Sequence, residues 1–198
     1  MKIYLSLLIY PGCKRCLDLL LLLISLILVL VPLVIITLLV RTTSNGPILF
    51  WSERIGQHNR LFKMPKFRTM IIEAPVLATH LLKNPNQYLT PIGSFLRKSS
   101  LDELPQLWSI LVGDMTFVGP RPALFNQYNL IKLRNMRGID QLLPGLTGWA
   151  QINGRDELSE EIKVVLDEEY LIKKSCIFDL KIIYLTVFHI IKPSGISH

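Results

Sequence analysis

Residues Leu19–Val40, LLLLLISLILVLVPLVIITLLV, decide the architecture. The run is uncharged over about 22 residues, and at ~1.5 Å per helical residue it reaches ~33 Å, enough to cross a bilayer core. It is too long for the apolar core of a secretory signal, and no small-x-small cleavage site precedes Arg41, so a retained membrane helix is expected. Pro32, near its middle, removes a backbone donor and crowds the carbonyl of Leu28, so the helix is expected to bend there. Lys2, Lys14 and Arg15 precede the run, and Arg41, Arg54, Arg60, Lys63, Lys66 and Arg68 follow it. Positive flanks favour the cytoplasmic side. A re-entrant helix keeps both flanks there and an ordinary kinked spanning helix puts one outside; the residues leave both open.

Outward from this run, the 198-residue chain carries a net charge of +7 with a pI near 9.4 and is 50% hydrophobic. Such a charge suits a lipid surface or phosphorylated ligands. Neither stacking aromatics in a basic patch nor a nucleic-acid-binding motif is found, so no nucleic-acid partner is expected. The three cysteines, Cys13, Cys16 and Cys176, do not suggest a disulfide framework. Cys13 and Cys16 have C-x-x-C spacing, but no strand precedes them, and a plain membrane-edge position is expected rather than redox or metal work.

Beyond Arg41, two short apolar runs, Ile48 to Trp51 and Leu61 to Phe62, surround Gly56, Gln57, His58 and Asn59 and predict a small β-hairpin. Leu77 to Leu82 has a helical pattern, ended by Asn84, Pro85 and Asn86. Helices are expected from Ser100 through Leu111, over Ala123 to Arg134 and over Glu160 to Lys173, with loops at Gly113 to Pro122 and Pro144 to Gly154. Phe178 to Ile191 is apolar but, at about 14 residues, too short to span, so it is expected to be interfacial or core. The expected fold is α+β and mainly helical: a membrane helix in residues 1–41, then a small β-hairpin and interfacial helices in residues 42–198.

Asp102 and Glu103 are the candidate reactive pair. Ser100, Leu101, Asp102 and Glu103 have the S-x-x-E spacing of a capping box, which would give the acids a purely structural role. The same first turn would also hold a carboxylate ionised, and an ionised Asp is a competent nucleophile at phosphorus. Adjacent helical residues diverge by about 100°, so the two acids are expected to have distinct roles. Arg97 and Lys98 lie just before them, and Arg121 stands between Pro120 and Pro122, where restricted dihedrals would steady a planar fork suited to phosphate.

Ser100-Leu101-Asp102-Glu103-Leu104-Pro105-Gln106-Leu107, Gly113-Asp114-Met115 and Val118-Gly119-Pro120-Arg121-Pro122 resemble the bacterial sugar transferase family of monotopic polyprenyl-phosphate glycosyl-1-phosphate transferases. Lys66-Phe67-Arg68-Thr69-Met70, the stretch from Pro144 to Arg155, and Leu166-Asp167 with Tyr170 are similar too, so the likeness runs in order over nearly the whole chain. The resemblance implies transfer of a sugar-1-phosphate from a nucleotide diphosphate sugar, uridine-linked by analogy, to polyprenyl (undecaprenyl) phosphate, initiating a surface glycan such as O-antigen, capsule or exopolysaccharide. It implies Mg²⁺ held by Asp102 and Glu103, a covalent intermediate on Asp102 and Glu103 as its catalytic partner. Lys66, Arg97, Arg121, Arg155 and Asp167 are the implied substrate-binding residues, and Pro32 the bend of a re-entrant helix. It further implies the bacterial inner membrane as location, with residues 42–198 forming the catalytic site on its cytoplasmic face, and downstream glycosyltransferases as partners. Two positions depart from the family pattern: Val31 precedes Pro32 where a Ser is common, and Asn86 and Tyr88 stand where an Asp and an Arg are frequent. A non-catalytic lipid-binding adaptor would share the anchor and the charge but would not need Asp102.

Overall fold

The computed structural model describes residues 2–75, 84–154 and 158–191. The expected helix over Leu77 to Leu82 lies outside them.

Leucine, isoleucine and valine fill the first element, α1 (Lys2–Thr43), which runs unbroken past Pro11 and Pro32. Its stretch Tyr10–Thr43 is long and apolar enough to cross a membrane, and only 11% of its most apolar 18 residues are buried against the rest of the chain, unlike a helix buried in a protein core. Leu23, Ile27, Leu28 and Val31, each at least 60% exposed, face outward.

Polar residues fasten the N-terminal part of α1 to the rest of the chain. Lys14 Nζ donates to Asp179 Oδ2 at 2.8 Å and to the Val118 carbonyl at 2.9 Å. Arg15 donates to the carbonyls of Ile110 (2.7 Å) and Leu111 (2.8 Å), near the end of helix α3 (Leu107–Val112), where carbonyls lack intrahelical partners. Buried Asp18 accepts from Thr116 Oγ1 (2.6 Å) and the Phe117 amide (3.0 Å). The far end of α1 rests on the same body, with Ile36 and Val40 packed against Phe67 and Leu96. Arg68 Nη2 closes that end on the Ser44 carbonyl (2.9 Å) and hydroxyl (2.7 Å).

The expected hairpin forms as β1 (Leu49–Ile55) and β2 (Leu61–Phe67), antiparallel, with Leu49 opposite Phe67 and Ile55 opposite Leu61. Its strands run further than the apolar residues alone suggest. Glu53, Arg54 and Lys63 are accommodated because a two-stranded sheet leaves side chains exposed, and Pro65 is tolerated because β2 has only one sheet partner. His58 and Asn59 turn the chain at positive φ.

Helix α2 (Gly93–Lys98) precedes the acidic pair. The expected capping box does not form. Ser100 adopts a left-handed conformation (φ 57°) with no side-chain cap, and Leu101–Gln106 is a 3-10 segment leading into α3. Glu103 turns instead to cationic side chains, whose pull exceeds that of a backbone amide.

Both Gly- and Pro-rich stretches, expected to be loops, contain short strands. β3 (Thr116–Val118) and β4 (Gly145–Thr147) pair in parallel, Thr116 with Gly145 and Val118 with Thr147. A Cβ on Gly145 would lie 2.1 Å from the Gly119 nitrogen, so glycine is what allows the two backbones to meet. Helix α4 (Tyr128–Met136) starts later than Ala123. After α5 (Trp149–Ile152), α6 (Glu160–Lys173) has the expected bounds, started by Ser159, whose hydroxyl accepts from the Ile162 amide. The apolar α7 (Cys176–Ile191) packs Ile182 and Phe178 against Val118 and Tyr170 and brings the Cys176 sulfur within 2.7 Å of Cys13. Among the described residues the architecture is therefore mainly helical, with one long apolar N-terminal helix and two small sheets.

Candidate active site

Four elements converge on the acidic pair. β2 presents Lys66, the 3-10 segment presents Asp102 and Glu103, the end of α2 presents Arg97, and the turn after β3 presents Arg121. Ser100 sets the direction of the segment through a left-handed backbone uncommon for a side-chain-bearing residue, a strain of about 1 kcal/mol or more that the surrounding packing holds.

Glu103 Oε1 accepts from Lys66 Nζ at 2.6 Å and from Arg121 Nη2 at 2.9 Å. Burial alone would push its carboxyl up, but Arg121 and then Lys66 outweigh it and hold Glu103 well below the ordinary carboxylate range. Asp102 behaves oppositely. Burial pushes its carboxyl above the ordinary range, Lys66 opposes this and the Glu103 charge adds to it. Lys66 Nζ lies 4.0 Å from Asp102 Oδ2, and the Asp102 carboxylate accepts no hydrogen bond from the described residues. Lys66 itself is lowered, chiefly by burial, with Glu103 opposing. Adjacent carboxyls pushed apart in this way suit different tasks: Glu103 a fixed counter-ion, Asp102 a more basic group with free lone pairs. A six-residue 3-10 segment offers little dipole, so the cations beside Glu103, and not a helix dipole, produce this split.

Arg97 Nε donates to Thr69 Oγ1 at 2.9 Å, and its charge favours ionised Asp102. The Arg121 turn is pinned from both sides: the Pro120 carbonyl accepts from the Gly145 amide and the Arg121 carbonyl accepts from Arg134 Nη1, each at 2.9 Å. Among the described residues no group of three or more His, Cys, Asp or Glu could hold a metal ion by itself. Asp102 and Glu103 offer two hard carboxylates, and Mg²⁺ typically takes one or two carboxylates together with substrate phosphates, so the donor set fits that ion in the presence of a phosphorylated substrate.

The bacterial sugar transferase family matches residues 9–193. The chain belongs to that family. The chain is 41% identical over 185 residues to the UDP-glucose:undecaprenyl-phosphate glucose-1-phosphate transferase of Escherichia coli, covering 88% of this chain and 39% of that one. It is 42% identical over 159 residues to the uncharacterized sugar transferase EpsL of Bacillus subtilis, 80% of this chain and 77% of that one. The exopolysaccharide production protein ExoY of Sinorhizobium fredii is 36% identical over 195 residues, 88% and 83% of the two chains. The chain thus spans well under half of the E. coli relative and most of the shorter ones.

The structure brings Lys66, Arg97, Asp102, Glu103 and Arg121 together and sets Asp167 apart from them. Asp167, 1% exposed, receives Arg134 Nε and Nη2 at 3.0 and 2.7 Å, so among the described residues it connects to the site through Arg134 and the Arg121 carbonyl. Arg155 lies outside the described residues, and Pro32 is in the interior of α1. Sequence reasoning missed Arg134, which looks like any charge on a helix. It also missed the cluster of Lys14, Tyr170 and Asp179, where the Tyr170 hydroxyl donates to Asp179 Oδ1 at 2.8 Å. Asp18 carried a signal: an acid beside an apolar run needs a partner.

Proposed function

We propose that this chain transfers a sugar-1-phosphate from a nucleotide diphosphate sugar to polyprenyl phosphate, with Asp102 as the covalent carrier. The observation that supports this best is the division of labour in the acidic pair: Glu103 is taken up by Lys66 and Arg121, while Asp102, with Lys66 Nζ 4.0 Å away, accepts no hydrogen bond from the described residues. An Asp102 oxygen attacks the phosphorus bearing the sugar. The bond from that phosphorus to the bridging oxygen breaks, and a nucleoside monophosphate departs with the electron pair. An oxygen of polyprenyl phosphate then attacks the same phosphorus, its bond to Asp102 breaks, and the carboxylate returns with a polyprenyl-diphosphate sugar as product. Lys66 and Arg121 are placed to meet charge on the phosphoryl oxygens, and Arg97 to keep Asp102 ionised. Asp102 and Glu103, together with substrate phosphate, would hold Mg²⁺, which would supply charge neutralisation for the diphosphate. Asp167 serves as a positioning residue through Arg134.

The relatives' names support the substrate classes: a UDP-sugar donor and undecaprenyl phosphate are in the name of the E. coli protein, and exopolysaccharide production in that of the Sinorhizobium protein. For α1 we propose a re-entrant course with its bend at Pro32, both flanks on the cytoplasmic face of the bacterial inner membrane and residues 42–198 forming the catalytic part. What supports this is that Lys14, Arg15 and Asp18 at one end and Ile36 and Val40 at the other rest on one body. The test is incubation of the purified protein with Mg²⁺, polyprenyl phosphate and a panel of nucleotide sugars. Release of a nucleoside monophosphate that depends on Asp102 supports the reading; a protein inert to every donor but still bound to lipid favours an adaptor.

A further inference from the structure

Three cysteines scattered in the sequence become a pair and a bystander in the fold. Cys13 lies in α1, shortly before the uncharged run, and Cys176 is the first residue of α7. Their sulfurs are 2.7 Å apart although 163 positions separate them in the chain. A disulfide is ~2.05 Å long, so a further approach of about 0.7 Å would join them.

Both sides of this contact are held in place. The Ser175 hydroxyl accepts from the Phe178 amide at 3.2 Å and its carbonyl from the Asp179 amide at 2.9 Å, which fixes the first turn of α7, where Cys176 sits. Residues three apart share a helix face, so Asp179 stands beside Cys176 on α7 and Tyr10 beside Cys13 on α1. Buried Asp179 joins the two faces, accepting from the Tyr10 hydroxyl at 2.9 Å and from Lys14 Nζ at 2.8 Å. The cysteines therefore meet at the edge of a polar clamp that already fastens α1 to α7. Cys16, one turn further along α1, is exposed, and among the described residues no three ligating side chains converge on a metal position. The C-x-x-C spacing is thus incidental, and the chemistry open to these thiols is oxidation of Cys13 with Cys176.

We propose that Cys13 and Cys176 form a site of reversible oxidation, a dithiol that a small disulfide such as oxidised glutathione converts into an intrachain bond latching α1 onto α7. Cys13 is exposed and meets the oxidant first: its thiolate attacks one sulfur of the small disulfide, that S–S bond breaks, and one thiolate leaves and takes up a proton. Cys176 then loses its proton and attacks the Cys13 sulfur, the mixed disulfide breaks, and the second small thiol departs. Two protein thiols are oxidised and one small disulfide is reduced to two thiols. Burial, and then the Cys13 sulfur beside it, push the Cys176 thiol up to about 11, so in the reduced chain it is the poorer nucleophile. Capture of Cys13 by the oxidant removes the second influence at the step where Cys176 must act. The site is independent of the transfer chemistry, because neither cysteine belongs to the cluster around Asp102.

The experiment uses the full chain in nanodiscs, equilibrated in glutathione buffers of graded oxidised-to-reduced ratio, quenched in acid and digested with trypsin without reduction. Lys14 and Arg15 separate Cys13 from Cys16, so each bridge has its own mass. The expected product joins peptides 3–14 and 175–181, forms equally in Cys16→Ser, disappears with dithiothreitol and exceeds any Cys13–Cys16 bridge at least about tenfold. In denaturant the preference should reverse, because without the fold the nearer thiol closes the smaller loop. The bond closes most of the chain into one loop, so the oxidised protein should melt roughly 10 °C above the reduced one, a rise missing in Cys13→Ser and Cys176→Ser. Glutathione retained on Cys13 or Cys16, a Cys13–Cys16 bridge in the native chain, bridges only between two chains, or no loss of thiols at all would overturn the proposal, as would a bridge that leaves Tm unchanged.

Discussion

Asp167→Asn separates two roles that the sequence alone could not. A residue that touches substrate, changed to its near-isostere, should alter KM and leave the fold intact. The structure gives a different expectation, because the Asp167 carboxylate is 1% exposed and receives both Arg134 Nε and Nη2. Removing its charge leaves a guanidinium with a side-chain exposure of 12% unpaired, and breaking a buried pair from one side costs ~3–5 kcal/mol. For a chain of this size ~1 kcal/mol moves Tm by ~2–4 °C, so a loss of ~3 kcal/mol should lower Tm by ~6–12 °C. Burial holds the Asp167 carboxyl above the ordinary range even against Arg134, so the pair as a whole is not a strong source of stability. Arg134→Met combined with Asp167→Leu should therefore recover most of the Tm. It should not recover activity, because the hydrogen bond from Arg134 to the Arg121 carbonyl is gone. Tm in detergent and nucleoside monophosphate release measured on the same samples decide the matter. An Asp167→Asn protein with wild-type Tm and an altered KM, or a double variant with full activity, would refute the positioning role.

Arg121→Lys should lower turnover at least about tenfold with little change in Tm, since a point charge cannot copy the planar contact that Arg121 offers; steady-state kinetics check it. Glu103, whose carboxyl is held below its ordinary range, adds stability that is present above its unfolded pKa of ~4.3 and lost as pH falls through its folded value. The Tm advantage of wild type over Glu103→Gln should therefore be largest near neutrality and shrink below about pH 4 in a Tm-against-pH series. Single cysteines at Lys2 and Asn45, in a chain whose native cysteines are replaced, should both resist an impermeant thiol reagent in intact cells if α1 is re-entrant; labelling of the Lys2 site alone would show a spanning helix.

Much of this arrangement was legible where chemistry is local. The uncharged run at Leu19–Val40, the Gly56–Asn59 turn and the helical pattern over Glu160 to Lys173 each follow from residue type and spacing, and the elements stand where those signals put them. The acidic pair was legible as a pair, yet its environment was not: the Ser100 spacing suggested a capping box, and the partners of Glu103 lie 37 and 18 residues away. β3 and β4 were hidden because each has three residues and glycine and proline at its edges, and parallel pairing leaves no local signature. The clamps from Lys14 to Asp179 and from Arg134 to Asp167 were likewise invisible, because a charged residue looks solvated until a distant counter-charge buries it.

The central claim is that Asp102 carries the sugar-phosphate. Intact-mass and peptide-level spectrometry of the wild-type protein, given Mg²⁺ and a nucleotide sugar but no polyprenyl phosphate, measures this directly. The account predicts a mass increase of one glycosyl-phosphate on the peptide containing Asp102, discharged when polyprenyl phosphate is added and missing in Asp102→Asn. A wild-type protein that turns over both substrates without ever acquiring that mass, or an Asp102→Asn protein that keeps full turnover, would contradict it.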